Sequence, residues 1–369
     1  MNKKLKVILS GGGTGGHIYP AVAIAQEIKS RFPDAEFLFI GANGKMEMEK
    51  VPQAGFQIEG LDIAGFNRSN ILSNLSLPFK LLSSVSRAKK IIKKFQPDFA
   101  VGTGGFASGP ALYAAAQLGI PTFVQEQNAF PGVTNKILAK KAKAVFTAYP
   151  DLQSFFPKTK TVFTGNPIRN TIVTGKISSQ AAKAKLGLDD KFTILSVGGS
   201  LGSRTINNAW LEHAKSLLEK DVQIIWQTGK LDFKKIMDET EPYASRNLRV
   251  LEFINDMSLG YSAADMIVSR AGAIAISELS VAQKPVLLVP FPFAAEDHQT
   301  KNALNLVEKG AAKMVKDAEM KEKFLPTLLE IVENEKVRES MSQQLQLFAK
   351  PDATKTIVDH IINELRIKA

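Results

Sequence analysis

A short apolar strand followed by a glycine-rich loop and a helix occurs twice in this chain of 369 residues. The first copy is VILSGGGTGGHIYPA at residues 7–21, and the second is FTILSVGGSLGSRTIN at residues 192–207. In each half, further short apolar strands alternate with amphipathic helical stretches, which is typical of a parallel sheet covered by helices on both faces. The sequence therefore predicts an α/β protein with two Rossmann-like domains.

The same patterns predict the individual elements and the domain boundary. In the first half, strands are predicted at 7–10, 36–40, 99–101 and 122–124, and helices at about 19–31, 78–95 and 110–118. In the second half, strands are predicted at 223–227, 249–253, 266–268 and 286–289. Pro20 is expected in the first turn of its helix, where proline is well tolerated. The segment TGNPIR breaks regular structure, so we expect domains at 1–165 and 166–353, with a final amphipathic helix at 354–367 that packs back on the first domain.

Basic residues are concentrated in the first half. Residues 1–168 carry 20 Lys and Arg against 10 Asp and Glu, whereas residues 169–369 carry 27 against 26. Such a half is expected to face an anionic partner, although a basic surface can also serve solubility alone. The chain has no cysteine, which excludes disulfides and thiolate nucleophiles and agrees with a reducing compartment. Because no apolar run reaches the ~18 residues that span a bilayer, and no signal-peptide core is present, we expect a cytoplasmic protein.

The first glycine loop is suited to bind phosphate, but it matches neither of the two most familiar phosphate-binding motifs. Its glycines fit the spacing G-x-G-x-x-G, and the helix N-terminus offers free N–H groups to an anion. A dinucleotide site also needs an acidic residue at the end of the second strand, and the first candidate, Glu47, comes late. A nucleoside-triphosphate loop needs Lys and then Ser or Thr, where this chain has His17 and Ile18. A pair of such loops, one per domain, instead predicts a diphosphate-linked compound bound between the domains.

Eight sequence blocks, in order along nearly the whole chain, closely resemble the MurG family of peptidoglycan N-acetylglucosaminyltransferases. They are GGGTGGHIYPA (11–21), VGTGGFASGPA (101–111), QEQNAFPGVTNK (125–136), TGNPIR (164–169), VGGSLGSRTIN (197–207), EFINDM (252–257), SRAGAIAISE (269–278) and VPFPFAAEDHQTKNA (289–303). The resemblance implies the GT-B architecture, in which two Rossmann-like domains face each other across a cleft. It also implies inverting transfer of N-acetylglucosamine from UDP-N-acetylglucosamine to the muramoyl sugar of an undecaprenyl-diphosphate carrier, the step from lipid I to lipid II, without a metal or other cofactor.

By this resemblance, the second domain chiefly binds the UDP-sugar. The second glycine loop would hold the donor diphosphate with the Ser200 hydroxyl, and Glu278 would accept from both ribose hydroxyls. The Ile254 backbone would read the uracil edge. The other positions implied for the donor are Thr14, Gly15, Gly16, Asn128, Arg169, Ala273, Ile274, His298 and Gln299. Glu278 could otherwise be a solvated helix acid, and Arg169 a structural cap at the domain junction.

The first domain is implied to bind the lipid-linked acceptor, with Gly104, Gly105 and His17 at its diphosphate. The reaction needs a general base, and histidine suits this role because its pKa lies near neutral. His17 is therefore one candidate, and a ligand to the acceptor or a structural side chain are its alternatives. Glu126 is a second candidate base. Phe106 stands where some members carry tyrosine, so no hydroxyl can act at that position.

The lipid acceptor implies a peripheral protein on the anionic inner leaflet of the plasma membrane, at its cytoplasmic face. Within segment 74–95 an apolar helical stripe is surrounded by basic side chains, and this stripe comprises Leu81, Val85, Ala88, Ile92 and Phe95. The stripe could simply cover the sheet. Shallow insertion into lipid is expected instead for residues that precede it, namely Leu72, Leu75, Leu77 and Phe79.

Two other functions are compatible with parts of this sequence. A different GT-B enzyme would share the UDP-sugar site but use another acceptor. A non-catalytic module that binds a nucleotide sugar or nucleic acid would explain the basic half. However, the chain lacks basic residues interleaved with exposed aromatic side chains, so we expect no nucleic-acid partner.

Overall fold

A computed structural model of the chain describes residues 4–63, 77–175, 177–199, 201–294 and 297–367. Its strands are β1 (Lys6–Gly11), β2 (Glu36–Ala42), β3 (Gln57–Leu61), β4 (Phe99–Gly104), β5 (Thr122–Glu126), β6 (Ala144–Thr147), β7 (Thr161–Phe163), β8 (Thr193–Val197), β9 (Gln223–Gln227), β10 (Leu248–Leu251), β11 (Met266–Ser269), β12 (Val286–Leu288) and β13 (Lys313–Met314). Its α-helices are α1 (Gly15–Arg31), α2 (Glu47–Gln53), α3 (Leu77–Phe95), α4 (Ser108–Gln117), α5 (Val133–Ala139), α6 (Asn170–Thr174), α7 (Ser179–Lys185), α8 (Arg204–Leu218), α9 (Phe233–Thr240), α10 (Met257–Ala263), α11 (Ala273–Ala282), α12 (His298–Val307), α13 (Met320–Val332), α14 (Glu335–Gln346) and α15 (Ala353–Leu365).

The chain divides into two compact units, each built on one parallel sheet. The first unit is Met1–Arg169 with Asp352–Ala369, and the second is Asn170–Pro351. Within the described residues, the sheet of the first unit has the strand order β3-β2-β1-β4-β5-β6-β7, and that of the second has β10-β9-β8-β11-β12-β13. Neighbouring strands pair in parallel in both sheets. The predicted α/β class with two Rossmann-like units is confirmed.

Both strand orders contain a switch point, where the connections run toward opposite edges of the sheet. It lies between β1 and β4 in the first unit and between β8 and β11 in the second. The loops that leave the two strands separate there, and they open a crevice at the carboxyl ends of the strands, which is where ligands bind in such sheets. Each glycine loop therefore lies at the ligand-binding edge of its own sheet.

The two faces of the first sheet bury alternate residues of the same strands. Val7 and Leu9 of β1 pack with α1 on one face, together with Ile357 and Ile361 of α15, whereas Ile8 packs on the other face with residues of α3 and α4. Because both faces are covered, the strands are apolar throughout, as parallel strands usually are. The core of the second unit is centred on the indole rings of Trp210 and Trp226, with Phe324 edge-on to Trp210.

Two local expectations differ from the structure at glycine-rich motifs. Strand β4 continues to Gly104, beyond the predicted 99–101, because Gly102 still pairs with both β1 and β5. Helix α1 begins at Gly15, since the N–H groups of His17 and Ile18 already donate to the Thr14 carbonyl at 3.1 and 3.2 Å. The expectation that Pro20 lies in the first turn is therefore wrong, because Pro20 lies inside the helix.

The apolar stripe of α3 divides into a buried and an exposed part. Ala88 and Ile92 are buried against the sheet, while Val85 and Phe95 are partly buried. Leu81 is 47% exposed, and the stripe therefore does not cover the sheet at the start of the helix. Leu72, Leu75 and the side chain of Leu77 lie outside the described residues. In the part of the chain that the structure describes, no helix has the length and apolar composition needed to cross a bilayer.

Candidate active site

A buried carboxylate supports the glycine loop between β1 and α1. Glu47 is fully buried, and its two oxygens accept from the N–H groups of Gly13 at 2.8 Å and Ala42 at 3.0 Å. At Gly12 a Cβ atom would overlap the carboxylate, so only glycine fits there. The sequence did not predict this role, because Glu47 was notable there only as an acidic residue that comes too late for a dinucleotide site.

The imidazole of His17 is fixed over the same loop. Its Nδ1 lies 3.0 Å from the Gly12 carbonyl oxygen and 3.4 Å from Thr14 Oγ1. Because a carbonyl can only accept, Nδ1 must carry a proton, and in the neutral ring the lone pair is then on Nε2. The ring lies against Gly104, where a Cβ atom would come within 2.8 Å of His17 Cδ2.

The loop after β4 completes this side of the crevice. The Gly12 N–H donates to the Gly104 carbonyl at 3.2 Å, and a Cβ atom at Gly105 would overlap the Gly12 carbonyl. Gly104 and Gly105 both have positive φ, at +102° and +88°. The structure thus brings together the three residues predicted for the acceptor diphosphate, His17, Gly104 and Gly105. Phe106 is 48% exposed beside them.

Thr14, Gly15 and Gly16 form the N-terminus of α1, with Thr14 as the N-cap. Amides in the first turn of a helix have no partner within the helix and can bind anions. Arg169 lies close by, because its guanidinium is 5.7 Å from the centre of the Tyr19 ring. Tyr19 in turn borders Gly15, where a Cβ atom would lie 3.1 Å from its ring.

Glu126 lies at the end of β5 and is 1% exposed. Its Oε1 accepts from the backbone and side-chain nitrogens of Asn128 at 3.0 and 3.3 Å. Its Oε2 accepts from Gly132 N at 3.1 Å and Asn135 Nδ2 at 2.8 Å. Burial raises the pKa of the Glu126 carboxyl, and these hydrogen bonds oppose the rise. The carboxyl therefore fixes the segment that follows β5, including Asn128, which was predicted to bind the UDP-sugar.

The second glycine loop, after β8, is packed directly on the end of β9. Gly202 has a φ of +84°, and a Cβ atom there would overlap the Thr228 carbonyl. Ser203 caps α8 by accepting from the Ile206 N–H at 3.3 Å. Ser200, the predicted diphosphate ligand, lies outside the described residues.

A buried glutamine, which no sequence motif predicted, connects this loop to Ile254. Gln227 is 2% exposed at the end of β9. Its Nε2 donates to the Gly199 carbonyl at 2.9 Å, and its Oε1 accepts from the Ile254 N–H at 3.1 Å. The predicted diphosphate loop and the predicted base-reading residue are therefore held in register by one side chain.

Glu278 is not a solvated helix acid. It is 4% exposed on α11, and its Oε2 accepts from the Tyr261 hydroxyl at 3.1 Å. Tyr261, on α10, is itself 6% exposed and was not recognised in the sequence. Ala273 and Ile274, also predicted for the donor, begin the same helix and are each 8% exposed.

His298 and Gln299 begin α12, which follows the strand next to β11. Gln299 Oε1 accepts from the Phe291 N–H at 3.0 Å, which holds the side chain at the loop after β12. The predicted donor residues of this unit thus lie in segments that follow neighbouring strands at the carboxyl edge of the sheet. Among the described residues, no group of three His, Asp or Glu side chains could hold a metal ion.

Comparisons with known proteins match nearly the whole chain. Residues 7–147 match the glycosyltransferase family 28 N-terminal domain, and residues 193–357 match its C-terminal domain. The chain is 49% identical over 98% of both chains to the UDP-N-acetylglucosamine–N-acetylmuramyl-(pentapeptide) pyrophosphoryl-undecaprenol N-acetylglucosamine transferase of Christiangramia forsetii. It is 50% identical to the enzyme of the same name from Cytophaga hutchinsonii, over 97% of this chain and 96% of that one. Among solved structures, MurG of Acinetobacter baumannii matches with a TM-score of 0.76 and 30% identity, over 98% of this chain and all of that one.

Proposed function

Because the chain belongs to glycosyltransferase family 28, we propose that it transfers N-acetylglucosamine from UDP-N-acetylglucosamine to N-acetylmuramyl-pentapeptide pyrophosphoryl-undecaprenol, converting lipid I to lipid II in peptidoglycan synthesis. The observation that carries this proposal is identity of about one half, over nearly the whole length, to enzymes of that name. The two Rossmann-like units, each with a glycine loop at its switch point, support it.

The second unit binds the UDP-sugar in this proposal. Glu278 accepts from the ribose hydroxyls, and the Tyr261 hydroxyl holds its carboxylate in place. The diphosphate lies at the glycine loop and the N-terminus of α8, where N–H groups offset its charge and stabilise the departing UDP. The uracil base lies beside Ile254, Ala273 and Ile274. The N-acetylglucosamine contacts His298 and Gln299.

The first unit binds the lipid-linked acceptor and supplies the base. Gly104 and Gly105 approach the acceptor diphosphate. The α1 N-terminus and Arg169 add positive potential toward the diphosphate of the UDP-sugar. His17 Nε2 takes the proton of the acceptor hydroxyl as its oxygen attacks the anomeric carbon. The bond from that carbon to the UDP oxygen breaks, and UDP leaves with the electron pair. Because the acceptor oxygen attacks from the face opposite UDP in this single displacement, the configuration inverts. We assign Glu126 to holding Asn128, because four hydrogen bonds occupy its oxygens.

The experiment that tests this function is turnover with purified lipid I analogue and UDP-N-acetylglucosamine, with the product mass measured. A gain of one N-acetylglucosaminyl residue is expected, and His17→Ala should lose most of the rate. A different family enzyme would bind UDP-N-acetylglucosamine but leave the lipid I analogue unchanged. Absence of product with the folded wild-type protein would contradict the proposal.

We also propose that the first unit docks on the anionic inner leaflet at the cytoplasmic face of the plasma membrane. Phe79 and Leu82 are 76% and 69% exposed at the start of α3. That helix carries no acidic residue but has six basic ones, Lys80, Arg87, Lys89, Lys90, Lys93 and Lys94. Each basic residue near an anionic surface contributes roughly 1 kcal/mol, enough in sum for reversible binding.

Sedimentation with vesicles tests this docking. Vesicles with phosphatidylglycerol should bind the protein at low salt, neutral vesicles should not, and duplex DNA should compete weakly. Replacing Phe79 and Leu82 with serine should weaken vesicle binding and leave UDP affinity unchanged. Equal binding to neutral and anionic vesicles would contradict the electrostatic docking.

A further inference from the structure

One peptide group, between Gly12 and Gly13, joins a buried carboxylate to the imidazole of His17. Its N–H donates to Glu47 Oε2 at 2.8 Å, and its carbonyl accepts from His17 Nδ1 at 3.0 Å. Among the described residues no peptide bond is cis, so the N–H and the carbonyl point to opposite sides of one planar unit. Glu47 and His17 therefore bind opposite ends of a single polarisable group.

We propose that Glu47 is a positioning residue that acts on His17 through this peptide, an inference that rests on the proposed role of His17 as the base. The negative carboxylate draws the N–H and increases the electron density on the carbonyl, because hydrogen bonds in a chain polarise one another. The carbonyl then binds the Nδ1 proton more strongly. This fixes the tautomer with the lone pair on Nε2 and stabilises the imidazolium that forms when Nε2 accepts a proton.

The same logic operates in serine proteases, where a buried aspartate hydrogen-bonds directly to the catalytic histidine and fixes its tautomer. Here a peptide group lies between the carboxylate and the ring. Electrostatic attraction persists over this longer path because the carboxylate is fully buried, away from water that would screen it.

The surroundings of Glu47 are shaped around its carboxylate. At Gly41 on β2, a Cβ atom would lie 2.7 Å from Glu47 Cγ, and at Gly12 it would overlap Oε1. The same Oε1 accepts from the Ala42 N–H at 3.0 Å, which leaves Oε2 to the Gly13 N–H. Backbone segments from two strand ends thus leave space for this one side chain, which fixes its oxygen under the Gly13 N–H.

Other charged or titratable groups lie on the elements around His17. Within the described residues they are Tyr19, Glu27, Lys29 and Arg31 on α1, Glu49 and Lys50 on α2, Glu126 at the end of β5 and Arg169 beside Tyr19. Helix α15 packs on α1 near the other end of that helix, where Arg31 pairs with Asp359. These groups remain in place in a Glu47 variant, so a change in the titration of His17 reports the loss of the one carboxylate.

The kinetic test compares Glu47→Gln with the wild type and with Asp98→Asn. Asp98 is a matched control, because it also accepts from a backbone N–H, that of Lys6 at 2.8 Å, but at the opposite end of β1. In Glu47→Gln the acidic limb of the kcat–pH profile should move to lower pH by about one unit, because the imidazolium loses a nearby negative charge. The KM for UDP-N-acetylglucosamine should stay unchanged. An unshifted limb in Glu47→Gln, or an equal shift in Asp98→Asn, would overturn the inference.

A second measurement needs neither activity nor a stable Glu47 variant. Nitrogen-15 NMR of the histidines in the full wild-type chain, assigned with His17→Gln, should show the neutral His17 ring protonated at Nδ1. A ring protonated at Nε2 would overturn the inference. If the expected tautomer is found but the wild type makes no lipid II analogue, the proposed function fails while the contact between Glu47 and His17 stands.

Discussion

At the scale of single residues, the carboxylates of this protein act mainly by holding backbone or neighbouring side chains. Glu47 and Glu126 accept from backbone N–H groups beside the predicted acceptor site, whereas Glu278 accepts from the Tyr261 hydroxyl. A buried carboxylate is stable only where such donors surround it. Of the three, Glu278 is the one proposed to contact substrate.

Replacing Glu278 with alanine should weaken donor binding. Loss of hydrogen bonds to a charged acceptor costs about 1.5–3 kcal/mol, so the Kd for UDP-N-acetylglucosamine should rise roughly 10- to 150-fold in calorimetric titration. Tyr261→Phe should show a smaller rise, because it leaves the carboxylate but removes its support. Exposed Glu322→Ala in the same unit is the control. Unchanged affinity in a folded Glu278→Ala protein would remove the proposed donor site.

Replacing Lys284 with methionine should stabilise the protein at neutral pH. Burial lowers the pKa of this lysine below its ordinary value of 10.5, Lys183 lowers it further, and Asp265 opposes the change. The unfolded chain therefore binds this proton more tightly than the folded protein, so stability rises with pH between the lowered and ordinary values. The gain on substitution, about 0.5–2 kcal/mol, should be largest at pH 7 and shrink toward pH 10.5. Urea unfolding at both pH values measures it, with exposed Lys321→Met as the control.

At the scale of elements, the loops that follow the strands are fixed by close backbone contacts as much as by side chains. Gly202 and Gly229 pack against each other, and a Cβ atom at either would overlap the backbone of the opposite segment. Gln227 adds hydrogen bonds to Gly199 and Ile254. These contacts fix Gly199 and Gly202 at the loop where the donor diphosphate is proposed to bind.

Gly202→Ala should disrupt that loop. The new Cβ has no space, and the φ of +84° is strained for alanine. We expect the free energy of unfolding to fall by more than about 2 kcal/mol and UDP affinity to fall with it. Gly272→Ala is a matched stability control in the loop before α11, because its φ is −65° and no atom lies within 4 Å of the Cβ position. Equal melting temperatures for the two variants would contradict this account.

The sequence predicted those elements whose signal is local. Apolar runs identified β9 with its observed bounds and placed β8, β11 and β12 closely, since buried parallel strands have a clear composition. Strands β7 and β13 were not predicted, because their two or three residues are only partly buried or exposed and lack the apolar run that identifies the equally short β12. The start of α1 and the end of β4 could not be predicted within the glycine-rich motifs, because glycine is compatible with loop, helix and strand.

In the candidate site, too, the sequence predicted local motifs but not contacts between distant parts of the chain. Motifs marked the two glycine loops and Glu278 as candidates, but gave no indication of the side chains that contact them in the fold. Glu47 and Gly13 are 34 residues apart, and Gln227 and Ile254 are 27 apart. Such contacts depend on which strands become neighbours, so no local pattern contains them. The burial of Glu126 by four donors likewise follows from the folded loop alone.

At the scale of the whole molecule, the two units have separate cores. A ligand that binds one unit should therefore stabilise the core of that unit. UDP at 100 times its Kd adds about 2.7 kcal/mol to the state that binds it. Hydrogen exchange should therefore slow in the core strands β8 and β11 on addition of UDP, with little change in β1 and β4. Adenosine diphosphate at the same concentration is the control. Equal slowing in both sheets would place the nucleotide site elsewhere.

The return of α15 to the first unit has a consequence for biosynthesis. Ile357, Val358 and Ile361 belong to the same core as Val7 and Leu9, although some 350 residues separate them along the chain. Helix α1 can cover part of that face of the first sheet early, but the part that α15 covers stays exposed while the ribosome is still translating the second unit. The second unit can complete its own core first, and the amino-terminal half must await the last helix, exposed meanwhile to chaperones and proteases.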